Sequence, residues 1–221
     1  MKDGTSPYST FNPDPFLAHR KMIDLVGKGK DVLELGCAAG YLSREMKRND
    51  CTIVGVDIDR ELLQKARKYL RETICGDLDT IELDFSKESF DVILMGDVLE
   101  HLRYPEDMLR RIRPFIKQNG YIVVSVPNVA NWEVRKNLLW GRFNYTDKGI
   151  MDRNHVRFFT LDTITRILND AGYKIVHLDV AANITMPILW RFSSERKDRL
   201  AKRFKTLFAG QFIIKAERTR Q

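Results

Sequence analysis

Between Asp31 and Val126, strand-sized apolar runs alternate with helix-spaced ones, and that alternation leaves few folds open. The strand-sized runs are Asp31–Leu35, Thr52–Val56, Thr73–Cys75, Phe90–Met95 and Tyr121–Val126. Four helical segments separate them. Tyr41–Lys47 sets Leu42 and Met46 one turn apart. Asp59 is placed to cap a segment in which Leu62, Leu63, Ala66, Tyr69 and Leu70 recur at helical spacing. Another helix is expected from Val98, and a fourth starts at Pro105, carries Met108, Leu109 and Ile112, and ends at Pro114. Repeated strand–helix units of this size imply a parallel sheet covered by helices on both faces. Right-handed crossovers then put a ligand outside the carboxyl ends of the strands, where the strand order reverses. The loop at Gly36 falls at that place.

The flanks read differently. Residues 1–13 are polar and form a loose arm, and Asp14-Pro15 reads as an N-cap followed by proline at the first position of a helix ending near Gly27. After the fifth strand, residues 127–158 hold Asn, Trp, Arg and Gly without a clean period and read as an inserted lid. Thr160 then caps a helix stopped by Gly172, Lys174–Val180 is a sixth strand, residues 191–209 form a basic helix, and Gln211–Ala216 is the last strand. The 221 residues suit one domain over 1–221. No apolar run approaches a membrane span, and no signal-peptide pattern opens the chain, so a cytoplasmic location is expected. Cys37, Cys51 and Cys75 show no C-x-x-C spacing and imply neither a disulfide framework nor a zinc site. The net charge of +7 favours anionic partners. No nucleic-acid motif accompanies it, so nucleic acid is not an expected partner, and the basic helix is left as a candidate for peripheral membrane contact.

Glu34-Leu35-Gly36-Cys37-Ala38-Ala39-Gly40 joins the first strand to a helix. Glycines there permit a tight turn and close approach of a ligand to the backbone, and the helix start offers free N–H groups. Asp57 ends the next strand about 20 residues on, where an acid can accept hydrogen bonds from ribose hydroxyls. Its alternative role is to cap the following helix. Asp77, after the third strand, can accept from an adenine amino group. The nicotinamide-type G-x-G-x-x-G fingerprint fails, because Ala38 and Tyr41 stand where its second and third glycines would be.

The runs VLELGCAAGYLS, VGVDID, CGDLD and SFDVILMGDVLEHL resemble, in order, those of class I S-adenosylmethionine-dependent methyltransferases. NGYIVVSVPNVANW and DRNHVRFFTLDTITRILNDAGY extend the resemblance toward a subgroup associated with polysaccharide and other glycan biosynthesis. The resemblance implies an α/β, Rossmann-like methyltransferase fold with a mainly parallel seven-stranded sheet whose last strand is reversed. It implies S-adenosyl-L-methionine as cofactor and S-adenosyl-L-homocysteine as product. Glu34, Gly36, Cys37 and Gly40 match the positions that hold the methionine part, Asp57 the ribose, Ile58 the adenine face, and Asp77 with Leu78 the adenine-binding pair. Gly96 matches the residue passing the methionyl group, and Tyr8 an N-terminal aromatic that closes over the cofactor. Ala38 departs from the glycine that many members carry.

Methyl transfer is an in-line displacement, so alignment can supply much of the rate, and a base is needed only for a hydroxyl that must lose its proton. His101, beyond the fourth strand, and His155, in the lid, are the candidate bases; His19 and His177 read as structural. Asp97, Glu100 and His101 form an E/D-x-x-E-H stretch resembling one that ubiquinone-type O-methyltransferases use for a divalent cation. Acids are also natural at a helix start, and no metal is assigned. Trp132, Trp140, Phe143 and Tyr145 interleave with Arg135, Lys136 and Arg142, and since aromatics stack on sugar rings and arginines pair with phosphates, this composition fits a glycosyl acceptor joined to phosphate, or else aromatics that pack the lid onto the sheet. Asn128, Trp132, Arg153 and Arg157 are the candidate acceptor residues. The leading expectation is therefore methylation of a hydroxyl or amine of a small-molecule or glycan acceptor, most simply a sugar. The alternatives are O-methylation of a prenylated phenol and a non-catalytic partner protein of the same fold.

Overall fold

The structure, a computed structural model, describes residues 11–184 and 191–219. Its strands are β1 (Asp31–Leu35), β2 (Thr52–Asp57), β3 (Glu72–Cys75), β4 (Phe90–Gly96), β5 (Ile116–Pro127), β6 (Tyr173–Ala182) and β7 (Ala209–Arg218). They form one sheet in the order β3-β2-β1-β4-β5-β7-β6. The first five strands are parallel, and β7 enters between β5 and β6 antiparallel to both. The reversed last strand is therefore present, and the order reverses between β1 and β4.

Helices α1 (Ala18–Val26), α2 (Tyr41–Arg48), α3 (Arg60–Ala66), α4 (Pro105–Ile112), α5 (Trp132–Leu139), α6 (Leu161–Asp170), α7 (Ser194–Arg203) and α8 (Lys205–Phe208) surround the sheet. Successive strand residues point to opposite faces. Val32, Val92 and Leu94 accordingly pack with Met22, Ile23 and Val26 of α1 and Leu42 and Met46 of α2. Leu33, Leu35, Ile93 and Met95 pack in a second cluster with Met108, Leu109 and Ile112 of α4 and Ile164 and Leu168 of α6. Burial on both faces is why these strands read as unbroken apolar runs.

Four local expectations are corrected. Asp14 does not cap α1; its carboxylate accepts the Phe16 N–H at 2.9 Å in a turn, and the helix starts at Ala18. The segment expected as a helix from Val98 is a single 3-10 turn over Leu99–His101. The lid segment contains α5, capped by Asn131, whose side chain accepts the Glu133 N–H. Only Val134 of α5 is buried, so the helix leaves no apolar stripe in the sequence. The basic helix breaks at Phe204 into α7 and α8. Part of its charge is internal. The buried Lys21 ammonium of α1 donates to the Val180 carbonyl at 2.6 Å and pairs with Asp179 and with Asp198 of α7, which also accepts from Lys202.

Candidate functional site

The loop between β1 and α2 passes through three left-handed residues, Gly36 (φ 71°), Ala38 (φ 45°) and Gly40 (φ 76°). A Cβ on Gly36 would lie 2.6 Å from the Val98 side chain, so glycine is required there for space as well as for backbone conformation. Ala38 accepts a conformation that costs a residue with Cβ about 1–2 kcal/mol. Its N–H is held by the Asp57 carboxylate at 2.7 Å, while the other Asp57 oxygen accepts the Asp59 N–H at 2.9 Å. The helix-capping role falls to Asp59, which accepts from the N–H groups of Glu61 and Leu62.

At the carboxyl ends of β1, β2 and β4 lies a cavity of about 400 Å³. Gly36, Asp57, Ile58, Asp77, Leu78 and Gly96 line it, as does His101. Glu34, Cys37 and Gly40 do not reach its surface. Glu34 is buried and accepts a hydrogen bond from the Ser43 hydroxyl, and burial pushes its carboxyl up to about 8. The buried Cys37 thiol is raised by the same cause. Gly40 serves packing, since a Cβ there would stand 2.9 Å from that of Ala66. Tyr8 lies outside the described residues.

A second cavity of about 350 Å³ adjoins the first, with Tyr41 and Asp97 in the walls of both. Leu17 and His19 of the α1 entry, Ile150, Ala181 and Ala182 supply much of its lining, and Glu100, His155 and Gln211 its polar end. Asp97 has φ 53°, and its carboxylate accepts from Ser125 Oγ at 2.6 Å and from Gln211 Nε2 at 2.7 and 2.8 Å. His19 packs against Tyr41 with ring centroids 4.9 Å apart and planes tilted by 43°, and its Nδ1 accepts the Asn12 N–H. Burial lowers its pKa, against the pull of Asp97.

His101 and His155 meet between the cavities, with ring centroids 4.9 Å apart and planes at 73°. Each ring places Nδ1 3.1 Å from a backbone carbonyl, of Asn154 and of Ile150 respectively. With Nδ1 as donor in the neutral ring, Nε2 carries the free lone pair. Burial, then the neighbouring His101, lowers the His155 pKa. Beneath them Glu100 is 1% exposed, and neither carboxylate oxygen has a partner among the described residues. Burial, reinforced by Asp97, holds its carboxyl well above the usual carboxylate range. One ligand atom from each of Glu100, His101 and His155 fits within 4.8 Å of the others. These three could hold a divalent cation, whereas the sequence assigned none.

The acceptor candidates are engaged elsewhere. Asn128 is buried and donates to the Ala209 carbonyl at 3.0 Å. Trp132 packs against the larger apolar cluster. Arg153 pairs with Asp147 at 2.6 Å, and Arg157 donates to the Arg103 carbonyl. None of the four lines the second cavity. His19, read as structural, does line it, as do Tyr41, Asp97 and Gln211. Only Asp97 carried a local signal, the E/D-x-x-E-H stretch; nothing marked the others, because α1, α2, the end of β4 and β7 come together only in the folded chain.

A family model described as "Methyltransferase domain" matches residues 17–178, well over half of the chain. The chain belongs to the class I S-adenosylmethionine-dependent methyltransferases. A "Ubiquinone biosynthesis O-methyltransferase" of Coxiella burnetii is 26% identical over 160 residues, covering 68% of this chain and 66% of the relative, so the match spans just under two thirds of that protein. The enzyme of the same name from Actinobacillus pleuropneumoniae is 32% identical over 109 residues, 45% of this methyltransferase and 47% of the relative. Among solved structures, an S-adenosylmethionine-dependent methyltransferase from Mesorhizobium loti superposes with TM-score 0.62 at 19% identity, covering 90% of this chain and 95% of that one. The [4+2]-cyclase SpnF gives TM-score 0.64 at 14% identity over 99% and 86% of the two chains, so the fold by itself does not fix the chemistry. Among the described residues of the methyltransferase, no helix is long and apolar enough to cross a membrane.

Proposed function

We propose that this methyltransferase binds S-adenosylmethionine in the cavity beside Asp57 and transfers its methyl to a hydroxyl oxygen of a small-molecule acceptor in the adjoining cavity, with His155 taking the hydroxyl proton. The observation that carries this reading is the meeting of two cavities at Tyr41 and Asp97, with His101 in the wall of one and His155 in the wall of the other. In the displacement the acceptor oxygen bonds to the methyl carbon as the carbon–sulfur bond breaks. The electron pair stays on sulfur, giving S-adenosylhomocysteine, and the proton passes to His155 Nε2. Alignment of the two cavities serves the in-line geometry, and a neutral imidazole suits the base.

A phenolic acceptor is favoured over a sugar. The sugar reading rested on the lid aromatics and cations, and none of Trp132, Trp140, Phe143, Tyr145 and Arg142 lines the second cavity, which offers Leu17, Ile150, Ala181 and Ala182 beside the His19 and Tyr41 rings. The relatives named as O-methyltransferases of ubiquinone biosynthesis agree with that preference. The test is methyl transfer from labelled S-adenosylmethionine to catechol-type phenols and to nucleotide sugars in parallel. Methylation of sugars alone would overturn the phenolic reading.

One observation favours a second reading. Among the described residues the buried Glu100 oxygens have no partners, and both histidines present Nε2 while Nδ1 is tethered to a carbonyl, as metal-ligating histidines commonly are. Glu100, His101 and His155 would then hold a divalent cation, which lowers the pKa of a hydroxyl bound to it. Calorimetric titration of the metal-stripped protein with Mn²⁺ and Zn²⁺ tests this, and absence of binding at millimolar metal would exclude it.

A further inference from the structure

Every residue from Leu138 to Gly149 is exposed. Half of the large hydrophobic side chains exposed among the described residues fall in this run: Leu138, Leu139, Trp140, Phe143 and Tyr145. Leu139 and Trp140 are 81% and 75% exposed, and the turn at Gly141 (φ 66°) leads directly from them to Phe143, which packs edge-on to Tyr145. Scattered exposed leucines are ordinary on a protein surface; five large apolar groups within eight residues are not.

The charges around the run are mostly positive. Lys136, Arg142 and Lys148 are exposed within it or beside it. Asp147 is neutralised by Arg153 at 2.6 Å. Arg135 of α5 donates to the Ala130 carbonyl and reaches the Thr206 carbonyl of α8 at 3.4 Å, which brings the start of α8 beside α5. There Phe204 is a further exposed aromatic, with the Arg203 guanidinium 5.6 Å from its ring centroid.

We infer that the exposed run Leu138–Gly149, with its basic collar, docks on an anionic lipid bilayer. Tryptophan and leucine at a loop tip, with lysines and arginines behind them, match the two layers of such a surface: acyl chains take the apolar groups and phosphate headgroups the cations. Protein–protein interfaces instead tend to exclude lysine from their core, which argues against a second copy as the occupant. The base of the run, Lys148, Gly149 and Ile150, lines the second cavity. Docking therefore opens that cavity at headgroup depth, where an acceptor with an apolar tail would reside; this last clause rests on the acceptor assignment above, and the docking does not.

The test is co-sedimentation of the full chain with vesicles of phosphatidylcholine alone and of phosphatidylcholine with phosphatidylglycerol. The expected result is binding to the anionic vesicles that weakens at least tenfold in the double variants L139E/W140E and K136E/R142E, and that falls with added salt. All four side chains are exposed, so S-adenosylmethionine affinity should be unchanged in both variants, which certifies the fold and separates this surface from the methyl-transfer reading. No binding to anionic vesicles, or equal binding by both double variants, would overturn the inference. So would a dimer in sedimentation velocity that L139E/W140E disperses without any vesicle binding.

Discussion

Asp57 Oδ2 accepts the N–H of Ala38 at 2.7 Å, which couples the end of β2 to the left-handed turn after β1. One carboxylate thus shapes the Gly36 loop and faces the first cavity. Replacing Asp57 by Ala leaves a buried N–H without its acceptor and removes the carboxylate proposed to accept from ribose hydroxyls. We expect S-adenosylmethionine binding to weaken by roughly 1.5–3 kcal/mol, the scale of a hydrogen bond to a charged group. Isothermal titration measures it, and unchanged affinity would contradict the ribose assignment.

Glu34 makes stability depend on pH in an unusual direction. In the folded chain its carboxyl keeps its proton up to about pH 8, whereas an unfolded glutamate ionises near 4.3. Between those values the native state binds more protons than the unfolded state, so stability is full below pH 4.3 and is lost as pH rises toward 8. The contribution to the slope is up to about 1.4 kcal/mol per pH unit. Glu34→Gln should flatten that part of the profile; urea midpoints across pH 4.5–8 compare the two proteins.

The two histidines at the junction are separable. His155→Ala should lower kcat by roughly 10²–10⁴-fold, the range for a positioned base. His101→Ala should cost less in kcat, because His101 faces the first cavity and acts through the His155 ring. Cofactor affinity of the His155 variant should stay put. Single-turnover rates at saturating cofactor decide between them, and an equal, few-fold loss in both would mean that alignment alone drives the reaction.

His19 lines the cavity proposed for the acceptor. Its Nδ1 accepts the Asn12 N–H, so the neutral ring carries its proton on Nε2, and the residue lines the second cavity with Tyr41. His19→Phe keeps the stacking surface and removes the donor. We expect KM for the acceptor to rise about tenfold, on the scale of one lost hydrogen bond, with the dissociation constant of S-adenosylmethionine unchanged. Steady-state kinetics with each substrate varied in turn will show whether the effect is confined to the acceptor.

Deleting the whole lid would damage the core, since Asn128 and Asn131 both donate to the Ala209 carbonyl. A narrower exchange of Leu138–Gly149 for a glycine–serine linker avoids those anchors. Transfer to the acceptor should fall at least tenfold while cofactor binding persists. Loss of both together, in a labelled-methyl assay run beside calorimetry, would mean that the run belongs to the packed body of the protein.

The strands of the parallel half were legible because burial on both faces leaves continuous apolar runs, and the Gly36 turn, Asp57 and Asp77 because turn chemistry and strand ends are local. Helix α5 escaped because it buries one residue and so writes no period into the sequence. The insertion of β7 between β5 and β6 had no local mark either, since strand pairing is a choice among distant partners. The second cavity is the clearest case. Leu17, Tyr41, Asp97, His155 and Gln211 are spread over most of the chain, and although Asp97 and His155 stood out in the sequence, nothing local joins them to the other three. Periodicity records which side of an element is buried, so the sequence by itself determined the sheet, its two apolar faces and the cofactor loop. Which loops meet above the sheet depends on how finished elements pack, so the second cavity, the pairing of His101 with His155 and the Glu100 carboxylate without a partner among the described residues were decided only by the tertiary structure.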